Sequence, residues 1–118
     1  MIEEYTYGCF KADGREFLGD LKIKNNKAHY WQDLKDWKLT VKHINDLLME
    51  NPDVFVIGTG AGGLLRVDES IQEHLRSWKI NSSKRPVYHI VKNIEAIKII
   101  NSAIESKKQV CAVLAGSC

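Results

Sequence analysis

The sequence predicts one α/β domain over residues 1–118. It consists of an N-terminal antiparallel hairpin or meander followed by strand–helix–strand–helix–strand, with a mixed sheet and about three helices. Three observations carry this. The chain has 118 residues, 44% hydrophobic and 27% charged, which is ordinary globular usage for one domain. Two short apolar runs of β-formers, Val54–Ile57 and Val110–Leu114, read as strands buried on both faces, the kind that parallel sheets contain. Between them, apolar residues recur at helical spacing, and crossover helices imply parallel, right-handed connections.

The elements follow in order. Tyr5 to Ala12 is rich in aromatics and reads as a strand. Asp13-Gly14 is a two-residue hairpin signal, because both central positions need positive φ. Phe17, Gly19, Leu21 and Ile23 alternate with more polar residues and read as one half-buried strand. Asn25-Asn26 marks a second turn, and Ala28 to Trp31 a third strand. Gln32 to Lys38 is a polar connection carrying Trp37. Thr40 is a helix N-cap with Leu39 stapled onto Ile44, and Ile44, Leu47 and Leu48 form the buried stripe. Asn51-Pro52-Asp53 ends that helix. After Val54–Ile57 and a glycine loop, Asp68 caps a helix whose inner face is Ile71, Leu75 and Trp78. Residues 81–86 form a polar loop, and Val87 to Val91 is a strand. Asn93 caps a third helix with Ile94, Ile97, Ile100 and Ile104 at helical spacing, and Val110–Leu114 is the last strand.

Charge and cysteines narrow the function classes. Lys+Arg is 17 and Asp+Glu is 15, a net +2 that does not call for a polyanionic partner. A local basic stretch runs from Arg76 through Lys79, Lys84 and Arg85 to Lys92. No apolar run reaches the roughly 18 residues of a spanning helix. The start, Met1-Ile2-Glu3-Glu4, lacks an apolar signal region, so a cytoplasmic protein with no membrane contact is expected. Cys9, Cys111 and Cys118 are an odd set without a C-x-x-C pair, which favours reduced thiols. Cys9 and Cys111 read as small core residues. His29, His43, His74 and His89 have no metal-ligand spacing, so no metal and no cofactor are expected.

Gly58-Thr59-Gly60-Ala61-Gly62-Gly63 matches G-x-G-x-x-G directly after a strand. The dinucleotide reading fails on two counts. Leu64–Val67 separates the loop from the next helix, and no acid stands at the ribose position some twenty residues on. Two readings remain. The glycines let a buried strand turn sharply with close backbone packing, or they form a small anion-binding nest at the strand ends with Thr59 and Arg66 adding a hydroxyl and a charge.

The ordered motifs resemble the Mth nine-thirty-eight-like domain family. The resemblance covers nearly the whole chain. It rests on Tyr7-Gly8, Asp13-Gly14 and Gly19-Asp20-Leu21; on Leu39-Thr40 with Ile44–Leu48; on Val56–Gly60 with Gly63–Val67; on Ala96, Ile97, Lys98 and Asn101; and on Val113–Cys118. The chain departs from the family in three places. It has Gln32-Asp33 where the family often has a basic residue, an apparent insertion at Asn81–Arg85, and Ala115-Gly116-Ser117-Cys118 where the family commonly ends His-x-Thr-Cys. The missing histidine weakens any His–Cys catalytic pair, since a thiol needs a base or a positive field. The resemblance implies an α/β fold with a mixed sheet and no agreed catalytic set. It also implies, from some eukaryotic relatives, action by protein–protein contact during assembly.

Three functions follow. The first is a non-catalytic interaction or assembly module with a protein partner, its surface including Trp31, Trp37, Arg76, Lys84 and Arg85; a homodimer is left open. The second is a small-molecule or anion site at Gly58, Thr59, Gly60, Gly63 and Arg66, with enzymatic use left open. The third is nucleic-acid binding through residues 76–92, which would depend strongly on salt.

Overall fold

A computed structural model describes residues 1–34, 37–81 and 86–117, with backbone only at 79–81. Its centre is a five-stranded mixed sheet in the order β5-β4-β10-β7-β9. These strands are β4 (Asp20–Lys24), β5 (Lys27–Trp31), β7 (Val54–Gly58), β9 (Val87–Val91) and β10 (Val110–Leu114). The strand run β7, β9, β10 is parallel, and β10 also pairs antiparallel with β4. The crossovers are helices α2 (Glu69–Asn81) and α3 (Asn93–Glu105). This is the predicted architecture.

A second, antiparallel sheet of β1 (Ile2–Thr6), β2 (Cys9–Ala12) and β3 (Arg15–Leu18) covers one face of the first together with α3. Ile2, Phe10 and Phe17 from this sheet meet Val54, Val56, Ala112 and Leu114 from the central strands. Helix α1 (Val41–Leu48) and α2 cover the opposite face, where Ile44, Leu48, Ile71 and Leu75 meet Phe55, Ile57 and Val113. β7 therefore buries alternate side chains in two separate cores. That is why its sequence is a continuous apolar run rather than an alternating one.

The two turns behave as their residues demand. Asp13 and Gly14 have φ of 52° and 74°, and Asn25 and Asn26 have 50° and 70°. Asp13 also accepts the Ala28 N–H at 2.9 Å, tying the first hairpin to β5.

Several expectations are corrected. Tyr5–Ala12 is not one strand, because Tyr7-Gly8 turns the chain between β1 and β2, with Gly8 at φ 83°. Phe17 to Ile23 is likewise two strands in two sheets, broken at Gly19. Phe17, Leu21 and Ile23 still share one core, so the alternation survives the bend. Asn93 is the first residue of α3 rather than its cap, Lys92 holding the cap position. Ile94 is 64% exposed, and the inner face of α3 is Ala96, Ile100 and Ala103. Cys111 is buried as expected, whereas Cys9 is only half-buried. Cys118 and the loop residues Ser82–Arg85 lie outside the described residues. A two-residue parallel pair, β6 (Lys38–Leu39) with β8 (Arg66–Val67), was not foreseen.

Candidate functional site

The parallel strands β7 and β10 end side by side, with Leu114 opposite Gly58. A Cβ on Gly58 would stand 2.6 Å from Asn93 Oδ1 and 2.9 Å from Leu114 Cγ, so no side chain fits. The chain then turns through Gly60 at φ 100° and Gly63 at φ 75°. Both features expected of this bend, positive angles and close approach, are present.

The donors of Thr59 and Gly60 are spent inside the protein. Thr59 N–H donates to the Val91 carbonyl at 2.8 Å, and its hydroxyl donates there as well at 3.2 Å. Gly60 N–H donates to Asn93 Oδ1 at 3.0 Å, while the Gly60 carbonyl accepts the Asn93 N–H at 3.1 Å. Asn93 Nδ2 donates to the Ala115 carbonyl at 2.6 Å. Asn93, fully buried, thus clasps the exit of β7 to the exit of β10. Of the two readings of the glycines, tight packing describes Gly58, Thr59 and Gly60. Gly63 lies against the aliphatic stem of Lys92.

The clasp continues at Gly116. Its N–H donates to Asp20 Oδ1 at 2.8 Å, and its carbonyl accepts from Gly8 N–H at 2.7 Å and from the Tyr5 hydroxyl at 2.8 Å. Burial pushes the Asp20 carboxyl above its ordinary value of 3.8, against the downward pull of the Gly116 N–H. An acid with a raised folded pKa loses stability on ionising. Its cost is present at neutral pH and is relieved as pH falls through that value. Asp20→Asn keeps an acceptor for Gly116 and removes the charge. Thermal melts should show the variant more stable than the wild type at neutral pH, with the gap closing on acidification toward pH 3.8.

Arg66 parts company with the loop. It sits on β8 and lines an open recess of about 860 Å³ together with Lys38, Lys42, Thr40, His43 and the Gln32-Asp33 pair. The pairing of β6 with β8 sets Lys38 beside Arg66, and Thr40 starts α1 from the same strand. Thr40 N–H donates to His43 Nδ1 at 2.9 Å, so that nitrogen is the acceptor. Nε2 then carries the proton toward the Asp33 carbonyl at 3.2 Å. The first turn of α1 holds no acid, and its N-terminal dipole adds to the positive character of the recess. Lys38 is held 3.8 Å from Asp68. The Ser70 hydroxyl and N–H, with Lys38 nearby, keep the Asp68 carboxyl below its usual range.

The remaining expected residues scatter. Trp31 is 4% exposed and packs its ring edge-on to His43, so it is core and not contact surface. Trp37 is 55% exposed, at φ 50°. Arg76 pairs with Glu73 at 3.4 Å. Lys84 and Arg85 lie outside the described residues. Among the described residues no cluster of His, Cys, Asp and Glu has a metal-binding arrangement. Burial raises the Cys111 thiol, which describes a structural cysteine. Sequence reasoning missed Asn93, Gly116, Asp20, Lys38 and Lys42. Only the strand–Asn–helix junction carried a local signal, and it pointed to a cap.

A family model described as a protein of unknown function (DUF498/DUF598) matches residues 2–115. The chain belongs to this family. Solved structures agree with the DUF498 fold. The protein titled MT938 superposes with a TM-score of 0.75 at 19% identity, covering 100% of this chain and 98% of that one, in line with the resemblance to the Mth nine-thirty-eight-like domain. The conserved hypothetical protein PH1505 from Pyrococcus horikoshii OT3 gives 0.79 at 23% identity, covering 100% and 99%. A Bartonella henselae protein titled an outer membrane protein gives 0.79 at 22%, covering 99% and 94%. At these identities the likeness shows the fold alone. No curated protein matches the DUF498 chain. No helix among its described residues is long and apolar enough to cross a membrane.

Proposed function

We propose that this DUF498 chain is a non-catalytic module that holds a protein partner at the carboxyl end of its parallel strands. The observation that carries this reading is the exposure of four large apolar side chains on the segments that converge there. Tyr7 is 69% exposed, Leu18 72%, Leu64 73% and Ile94 64%. The Tyr7 hydroxyl bonds the Ser117 carbonyl. Leu18 precedes Gly19, whose carbonyl lies against Gly116. Leu64 follows Gly63 in the glycine loop, and Ile94 follows Asn93. Single exposed apolar residues are ordinary, but several around one strand exit are the mark of a contact surface, and interface centres are rich in such side chains.

The test uses the full chain and the variants Leu18→Glu and Leu64→Glu. Both sites are open to water, so circular dichroism should be unchanged. Affinity capture from native extract should recover one stoichiometric protein with the wild type and lose it with the variants. Equal recovery with both, or no protein recovered at any salt, overturns the reading.

A specific observation favours a second reading, a small anionic ligand in the Lys38–Lys42–Arg66 recess. Phosphate titration should then raise the melting temperature of the wild type and not that of Lys42→Glu. Of the basic stretch expected to bind nucleic acid, Arg76 pairs with Glu73 at the surface, and Lys84 and Arg85 lie outside the described residues.

A further inference from the structure

β9 ends the five-stranded sheet, with β7 on one side and, among the described residues, no strand on the other. Its backbone polarity can be assigned. Val87 N–H donates to the Asp53 carbonyl, and the Val91 carbonyl accepts the Thr59 N–H. Val87, Val91 and, by alternation, His89 therefore turn their N–H and C=O groups toward β7. Tyr88 and Ile90 turn theirs outward. The strand Val-Tyr-His-Ile-Val carries no Lys, Glu or Pro of the kind that guards an open edge, and Val87 is 55% exposed. α3 packs chiefly over β7 and leaves a recess of about 350 Å³ beside Val87, His89 and Ile99.

We propose that this edge pairs with the same edge of a second copy, antiparallel about a two-fold axis through His89. That register sets Tyr88 opposite Ile90 of the other copy and Ile90 opposite its Tyr88. Each pair exchanges two backbone hydrogen bonds, so all four outward N–H groups and all four outward C=O groups are satisfied. A shift by one residue would face inward-directed groups and forfeit the bonds. Val87 then opposes Val91, and Tyr88 opposes Ile90 on the other face, both favourable cross-strand pairs. This contact stands independently of the partner surface proposed above.

Sedimentation equilibrium and hydrogen exchange test it. The wild type should sediment at twice the protomer mass, with the Tyr88 and Ile90 amides protected despite their outward direction. His89→Lys places two ammonium groups face to face at the axis. It should halve the mass and expose both amides while keeping the wild-type far-ultraviolet spectrum. Should that variant misfold, dilution of the wild type gives the same reading, since both amides should lose protection as dimer becomes monomer. A wild type monomeric at NMR concentration, or a dimer whose Tyr88 and Ile90 amides exchange freely, overturns the proposal.

Discussion

Asn93→Ala should lower the unfolding free energy by about 3 kcal/mol, because it strands the buried Gly60 N–H and the Ala115 carbonyl, each costing about 1–3 kcal/mol when unpaired. For a domain of this size that is a fall of roughly 12–20 °C in Tm. Urea denaturation checks it, and a loss under about 1 kcal/mol would show that the clasp is not a stabilising unit. A double-mutant cycle sharpens the result. Gly58→Ala alone drives its methyl against Asn93 Oδ1 at 2.6 Å and Leu114 Cγ at 2.9 Å. With Asn93→Ala in place the first obstacle is gone. The two losses should therefore sum to more than the double variant shows.

Gly116→Ala should be more damaging still. Its Cβ would fall 2.0 Å from the Gly19 carbonyl oxygen and 2.7 Å from the Gly19 carbonyl carbon. Both are backbone atoms, so no rotamer change relieves the overlap. Moving Gly19 disturbs its 2.8 Å bond to the Gly8 carbonyl, and moving Gly116 disturbs its bonds to Gly8 and Asp20. The expected loss exceeds about 4 kcal/mol, in the range reserved for severe packing defects. Gly14→Ala is the internal comparison. Nothing lies within 4 Å of its Cβ position, and only the positive φ of 74° opposes the change, worth about 1 kcal/mol. Thermal melts of the two variants should differ widely, and similar melts would contradict the argument.

Local chemistry made part of this molecule readable from its residues. β7 was legible because two cores demand apolar side chains on both faces. The Asp13-Gly14 and Asn25-Asn26 turns were legible because few residues accept positive φ. The break at Gly19 was hidden, since the period-two pattern of Phe17, Leu21 and Ile23 continues across it. Asn93 was misread for a related reason. An asparagine between a strand and a helix looks like a cap, and the actual partners of its side chain, Gly60 and Ala115, lie 33 and 22 positions away. The recess around Arg66 depends on β6 and β8, two residues each, too short for any periodicity to register. The loop was placed correctly, but backbone donors alone do not reveal whether they face a ligand or the protein.

The place of β10 in the sheet bears on how the molecule is made. Of the strands described, it is the last to be synthesised, yet it stands between β4 and β7. A nascent chain that has emerged only through α3 has β4–β5 and β7–β9 with no strand to join them, each left with an open edge of unpaired backbone N–H and C=O groups. Productive collapse must wait until the ribosome has released Val110–Leu114, and the long loops closed at that step make it a slow one.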